Sequence, residues 1–192
     1  MVVQRTPHRF SVEEYNKMGQ IGILSEDDRV ELLNGEVVNM APISVRHAWC
    51  VTNLIWQFSQ QLRDKVRLHV QNPIQLDFYS ELIPDTTLLR RRDYSKDEQH
   101  PGPEDTLLVV EVSDTTLIMD RQVKVPLYAQ AGIPEVWIVN LQQDRIEVHS
   151  QPVGGAYKTL RRLRRGQSVA IPGFAEAKVK VDDVLGGQQV QL

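Results

Sequence analysis

Asp85, Glu111 and Lys124 are the residues whose types and spacing could do chemistry, and Glu111 raises the question first. It interrupts the apolar run Thr106-Leu-Leu-Val-Val-Glu-Val-Ser113, which reads as a strand covered on both faces. A carboxylate in such a place must be paired, bound to a metal or poised for proton chemistry, because burying it alone is costly. Side chains alternate along a strand, so Leu107, Val109, Glu111 and Ser113 share one face, and Leu108, Val110 and Val112 the other. Asp85 follows Pro84, where a polar turn enters an earlier strand. If the two strands are neighbours, the carboxylates of Asp85 and Glu111 converge, and like charges that close require a cation between them. Oxygen ligation open to water suits Mg2+ or Mn2+ rather than zinc. Such an ion lowers the pKa of a bound water and neutralises charge on a phosphodiester.

Lys124 supports two readings. With Asp120 it forms an i, i+4 pair, acid first, which on an exposed helix is a solvated ion pair. Alternatively its ammonium points at the acids and stabilises hydroxide or developing phosphate charge. Glu31 is a second candidate buried acid. In Arg29-Val-Glu-Leu-Leu-Asn-Gly-Glu36 the pair Asn34-Gly35 predicts a tight hairpin, which places Glu31 on one face with Leu33 and Val38.

The elements that must position these residues follow from local signals. Ser11-Val-Glu-Glu14 is a capping box, and Gly19 is a stop, so a helix is expected over about 11–18. Strands are expected near 29–33 and 36–40. The apolar spacing of Ala48, Val51, Leu54, Ile55, Phe58 and Leu62 predicts a helix over about 44–65. Trp49, Asn53, Trp56 and Gln60 form a second stripe, either the margin of a wide core face or a surface for a second subunit. VQNPIQLDF and TTLLR read as strands around the turn YSELIPD, and DYSKDEQHPGPED as a surface loop. A helix over about 117–131 ends at Gly132, with Pro126 awkward inside it. EVWIVN and RIEVHS form a hairpin through LQQD, YKTLRRL and SVAI are further strands, and the tail 186–192 reads as frayed. The fold class is α/β in the broad sense: an α+β mixed sheet flanked by helices.

With 192 residues, 41% apolar and 24% charged, the chain is expected to form a single domain over 1–192. A single cysteine, Cys50, excludes an intrachain disulfide and a multi-thiolate zinc site, in keeping with a cytoplasmic protein. No apolar run is long enough to span a membrane, and MVVQRTPHRF lacks the layout of a signal peptide. The net charge of −3 argues against a global polyanion binder. Charge is nevertheless clustered in Arg90–Arg92 and in Lys158, Arg161, Arg162, Arg164 and Arg165, which read either as phosphate footprints or as solvated turns. His47, in the first turn of its helix, either bonds a phosphate or caps and packs. His100 and His149 lack metal-ligand spacing, and there is no phosphate-cradling Gly-rich loop and no Gly-x-Ser-x-Gly elbow.

Pro84-Asp85, Glu111-Val112-Ser113 and Asp120-Arg121-x-x-Lys124, followed by Leu127-Tyr-Ala-x-Ala-Gly-Ile-Pro-Glu-x-Trp-Ile-Val139, resemble the Uma-type putative restriction endonuclease family. That family lies within the PD-(D/E)XK nuclease superfamily. With Arg29–Glu36 and His47 the resemblance covers about 25–172 and implies a restriction-endonuclease-like fold that hydrolyses DNA with Mg2+ or Mn2+. It implies that Asp85 and Glu111 hold the metal, that the Val112 carbonyl joins them and that Glu31 contributes from the N-terminal part. The superfamily's lysine normally sits two residues after the second acid, where this chain has Ser113. Lys124 is then a substitute that reaches the same point from the adjacent helix and positions or activates the attacking water. Cutting both strands of a duplex needs two sites, so a homodimer is expected, with Trp49 and Trp56 at its interface. Two rivals stand beside this reading. One is a nucleic-acid-binding module without catalysis; the other is a structural or regulatory protein in which Glu111 is simply salt-bridged to Lys124 or an arginine.

Overall fold

A computed structural model describes residues 7–25 and 27–187; the expected fraying falls largely on 188–192, outside the described residues. Helix α1 (Val12–Gln20) starts with the predicted capping box. The Ser11 hydroxyl accepts from the Glu14 N–H at 3.2 Å, and the Glu14 carboxylate accepts from the Ser11 N–H at 2.8 Å. The helix runs through Gly19, and the left-handed residue that ends the segment is Gly22, at φ 78°.

Strands β1 (Val30–Leu33) and β2 (Glu36–Asn39) form the expected hairpin, with Asn34 and Gly35 at φ 52° and 85°. The register pairs Glu31 with Val38 and Leu32 with Val37, so Glu31 is carried to the buried side. Helix α2 (Val45–Leu62) begins where the Ser44 hydroxyl accepts from the His47 N–H. Its buried stripe is Cys50, Val51, Leu54, Phe58 and Leu62; Ala48, expected within it, is exposed. Trp49 and Trp56 are 63% and 60% exposed, which removes the wide-core reading of their stripe.

The region 66–90 breaks more often than its pattern suggests. Strands β3 (Val66–Val70) and β4 (Ile74–Asp77) are separated at Gln71-Asn72-Pro73, where Gln71 takes φ 48° and Pro73 offers no N–H to a ladder. Part of the expected turn is itself a strand, β5 (Ser80–Leu82), and β6 (Thr86–Arg90) follows Asp85. β4 and β5 join the hairpin in a small sheet of order β2-β1-β5-β4. β3 and β6 join the main sheet, of order β10-β9-β8-β7-β6-β3.

In that sheet β7 (Thr106–Ser113) is central, and seven of its eight residues are buried, as its apolar run predicts. It is parallel to β8 (Glu135–Asn140), and every other pairing in the sheet is antiparallel. A parallel pair needs a crossover, here a helix in three segments: α3 (Leu117–Met119), a π-turn (Asp120–Lys124) and α4 (Val125–Gln130). Pro126 sits at the start of α4, directly after the wide turn, so its ring and missing N–H fall where the α-helical ladder is already interrupted. Strands β9 (Arg145–Val153) and β10 (Ala156–Arg164) complete the main sheet. The hairpin of β11 (Ser168–Ile171) and β12 (Phe174–Lys180) leads into α5 (Val181–Leu185).

Two cores lie on opposite faces of the main sheet. Leu108, Val110 and Val112 of β7 pack with α2, α5 and the β11–β12 hairpin. Val109 packs with Ile138, Leu117, Val125 and Tyr128, and with Leu33, Ile74 and Leu82 of the small sheet. The alternation predicted for β7 therefore places Glu111 on the face under the small sheet and the crossover helix. No helix among the described residues is long and apolar enough to cross a membrane.

Candidate active site

Four elements deliver one side chain each to a common place. Glu31 comes from β1, Asp85 from the residue before β6, Glu111 from near the end of β7, and Lys124 from the end of the π-turn. All four line a cavity of about 360 Å³. Strands β6 and β7 are neighbours, and the register that pairs Thr86 with Val110 sets Asp85 across from Glu111.

Lys124 is at the centre. Its side chain is 8% exposed, and Nζ lies 2.9 Å from Glu31 Oε1 and 3.3 Å from Glu111 Oε1. The surface ion pair with Asp120 is not what forms. Asp120 is itself buried, and its Oδ2 accepts hydrogen bonds from the Ser113 and Thr116 hydroxyls, both at 2.7 Å. In a regular α-helix residues four apart stack on one face; the π-turn shifts that phase between Asp120 and Lys124. The acid is anchored to the end of β7 and the ammonium reaches the carboxylates.

Glu111 accepts a second bond from the Tyr128 hydroxyl, 2.6 Å from the same Oε1. Glu31 Oε2 accepts from the Ile83 N–H at 3.2 Å. Asp85 is held from three sides: its Oδ2 accepts from the Val112 N–H at 2.8 Å and contacts His47 Nε2 at 3.0 Å, and its Oδ1 accepts from Gln71 at 3.2 Å. Val112 thus meets the site through its backbone, while its side chain belongs to the opposite core.

Acid outnumbers base in the cavity. Glu31, Asp85, Glu111, Asp114 and Asp120 face only Lys124 and Arg29, with His47 beside them. Burial pushes the Glu111 carboxyl up to about 8; Lys124 pulls it back only in part, and Asp120, Asp85 and Glu31 add to the rise. Burial alone would lower the Lys124 ammonium, but Glu111, Glu31 and Asp120 outweigh it and hold its pKa above the usual lysine value. Near neutral pH the cluster therefore needs either a proton on Glu111 or another cation.

The carboxylate oxygens of Glu31, Asp85 and Glu111 are the kind of donor a hard divalent ion takes, with the His47 imidazole beside Asp85. Among the described residues no three Asp, Glu, His or Cys side chains form a ready-made metal cage. The Lys124 ammonium stands between Glu31 and Glu111.

The predicted set of Glu31, Asp85, Glu111 and Lys124 is thus brought together. Sequence reasoning missed Tyr128 and the anchoring role of Asp120, and left the His47–Asp85 contact unassigned. Tyr128 stands one helical turn after Lys124, and that spacing was the available signal. The basic runs do not border the cavity. Arg90–Arg92 lie at the far end of β6 and beyond, on the order of 16 Å from Asp85 along the strand. There Arg91 pairs with Asp64, and Arg92 with Asp97 and Asp105. Lys158, Arg161, Arg162 and Arg164 lie on the edge strand β10, and Arg165 after it pairs with Asp144 and Asp182.

A family profile described as Uma2, putative restriction endonuclease, matches residues 12–182. Among solved structures, a protein titled a putative nuclease belonging to DUF820, from Anabaena variabilis ATCC 29413, matches with a TM-score of 0.69 at 12% identity. The match covers 92% of this chain and 97% of that one, and shows a shared fold. No curated protein matches the chain.

Proposed function

The chain belongs to the Uma2 family of putative restriction endonucleases, and from that membership we propose that it is a metal-dependent endonuclease that hydrolyses DNA phosphodiester bonds in the cytoplasm. The observation that carries the chemistry is the convergence of Lys124 with Glu31 and Glu111 in an acid-rich cavity that Asp85 also lines.

In this reading Asp85 and Glu111 would hold Mg2+ or Mn2+, with the Val112 carbonyl and Glu31 as further oxygen donors. The ion supplies a bound water of lowered pKa and charge neutralisation for the phosphate. The chain's own groups do the rest. His47, Gln71 and the Val112 N–H hold the Asp85 carboxylate in place. Tyr128 fixes Glu111 from the helix side. The Lys124 ammonium, beside Glu31 and Glu111, would stabilise the attacking water or the developing phosphate charge. Because burial holds this site away from bulk water, a charge there acts more strongly than it would in solvent.

Trp49 and Trp56 face outward on α2, and their exposed apolar area fits a homodimer contact. Sedimentation of wild type against Trp49→Ser/Trp56→Ser reads this directly: a dimer that becomes monomeric supports it, and an unchanged mass removes it.

One observation favours a second reading. Lys124 already pairs with both Glu31 and Glu111, as a purely structural ion cluster would. The two readings part on metal and cleavage. Supercoiled plasmid is incubated with Mg2+ or Mn2+ and wild type, Asp85→Asn or Lys124→Gln. Nicking by wild type, lost in both folded variants, supports the nuclease. No nicking, together with no heat of metal binding, leaves the structural cluster.

A further inference from the structure

The acids lie at the bottom of the cavity, and what surrounds its opening bears on which nucleic acid can enter. One side of the mouth is the segment after β2, with Met40, Pro42 and Ile43. The other is the start of the crossover helix, with Met119. Ile43 and Met119 are 41% and 39% exposed, so apolar surface stands open to solvent beside the acid-rich cavity. The Ser44 hydroxyl donates to Asp114 Oδ2 at 3.3 Å, joining the segment before α2 to the loop after β7.

We infer that the substrate of this site is an unpaired nucleic-acid strand, whose bases flanking the scissile phosphate rest on the apolar rim of Met40, Pro42, Ile43 and Met119. The inference rests on the nuclease reading above and goes on to name the substrate class. A phosphate that reaches Asp85, Glu111 and Lys124 carries a nucleoside on each side, and those nucleosides must meet the rim. In an unpaired strand the bases are free to turn onto apolar side chains and bury both surfaces. In a duplex the bases are paired and stacked, so the same side chains could reach their faces only by wedging between pairs, at a cost in stacking. Proteins that bind duplexes offset that cost with Lys and Arg on the phosphates of both strands. Among the described residues the only Lys or Arg lining the cavity beyond Lys124 is Arg29, and neither basic run borders it. What favours a single strand is that only unpaired bases are free to turn onto the apolar rim, while few cations are at hand to hold the two backbones of a duplex.

The test compares one end-labelled oligonucleotide as a single strand and annealed to its complement, with Mg2+ or Mn2+ and the full chain. The single strand is assayed as DNA and as RNA, and bis(p-nitrophenyl) phosphate serves as a minimal diester. The expected result is at least about tenfold faster cleavage of one of the single strands than of the duplex, a margin the contacts of a base or two can supply. Ile43→Ser and Met119→Ser, both at exposed positions, should each lower that preference by raising KM for the single strand. Equal or faster cleavage of the duplex overturns the inference and leaves the nuclease standing. Failure to hydrolyse the oligonucleotides and the minimal diester alike removes the nuclease reading and this inference with it. A wild-type dimer that dissociates in the Ile43→Ser or Met119→Ser variant also overturns it, because the rim is then covered by a second copy.

Discussion

The Ser113 hydroxyl donates a 2.7 Å hydrogen bond to Asp120, joining the end of the central strand to the first residue of the π-turn. Ser113 stands where the resemblance places a lysine, and the bond gives the substitution a structural purpose. Ser113 and Asp120 are both buried, and the π-turn that Asp120 begins ends in Lys124.

Removing the anchor should therefore move the lysine. Asp120→Ala is expected to cost stability on the order of 2 kcal/mol, because two hydroxyls lose their acceptor in a buried place. It should also lower cleavage by more than the stability loss explains, since Lys124 loses its aim. Ser113→Ala should cost about half as much, because Thr116 still bonds Asp120. Urea denaturation beside plasmid nicking checks the pair. Full activity in folded Asp120→Ala would show that the π-turn holds its phase without the anchor.

Lys124 holds two carboxylates that otherwise face each other, so Lys124→Met should destabilise the metal-free fold by about 3–5 kcal/mol. A divalent cation can take the ammonium's place electrostatically. Mg2+ should thus raise the melting temperature of Lys124→Met more than that of wild type, where the ion must first displace the lysine from one acid. An equal or smaller shift in the variant would mean that the acids do not form a metal site.

The parts legible from sequence were those set by short-range rules. Hairpin register follows from Asn34-Gly35, and one face of β7 from strict alternation, so Glu31 and Glu111 were identifiable as buried acids before any fold was known. Asp85 followed because antiparallel neighbours bring opposite residues to one side. What stayed hidden depends on long-range placement or on rare backbone geometry. A helical wheel puts Asp120 and Lys124 on one exposed face, and only the π-turn breaks that expectation. The Arg90–Arg92 run reads as a phosphate footprint, and nothing local reveals Asp64, Asp97 and Asp105 arriving from elsewhere to pair with it. Gln71-Asn72-Pro73 sends β3 and β4 into different sheets, a choice made by the two cores and not by the segment itself.

Glu147 gives the stability its clearest pH dependence outside the site. It is 1% exposed on β9 and opposed to burial's tendency to raise it are Arg121, Asn140 and Arg145, which together hold its carboxyl down at about 2. A depressed acid stabilises the fold above its unfolded pKa of about 4.5 and loses that contribution as pH falls toward 2. The contribution at neutral pH is about 3 kcal/mol. Glu147→Gln should therefore unfold more readily than wild type at pH 7, with the difference shrinking steadily below pH 4. A difference independent of pH over that range would show that packing, not charge, accounts for the loss.

His47 makes the most specific contact to the acids, and its effect should appear in metal affinity before it appears in the fold. Its Nε2 is 3.0 Å from Asp85 Oδ2, while its Nδ1 is buried with no hydrogen-bond partner among the described residues. A ring held this way gains little from its second nitrogen, so the Asp85 contact is its main polar use. Groups that orient a metal ligand typically change affinity by about 10–100-fold when removed. His47→Ala should weaken Mg2+ or Mn2+ binding within that range by calorimetry, with a melting temperature close to wild type because Val112 and Gln71 still hold Asp85. His47→Gln, whose amide can reach toward the same oxygen, should recover part of the affinity. If His47→Ala binds metal as wild type does, the backbone N–H of Val112 is enough to orient Asp85, and His47 serves only the packing of α2 against the sheet.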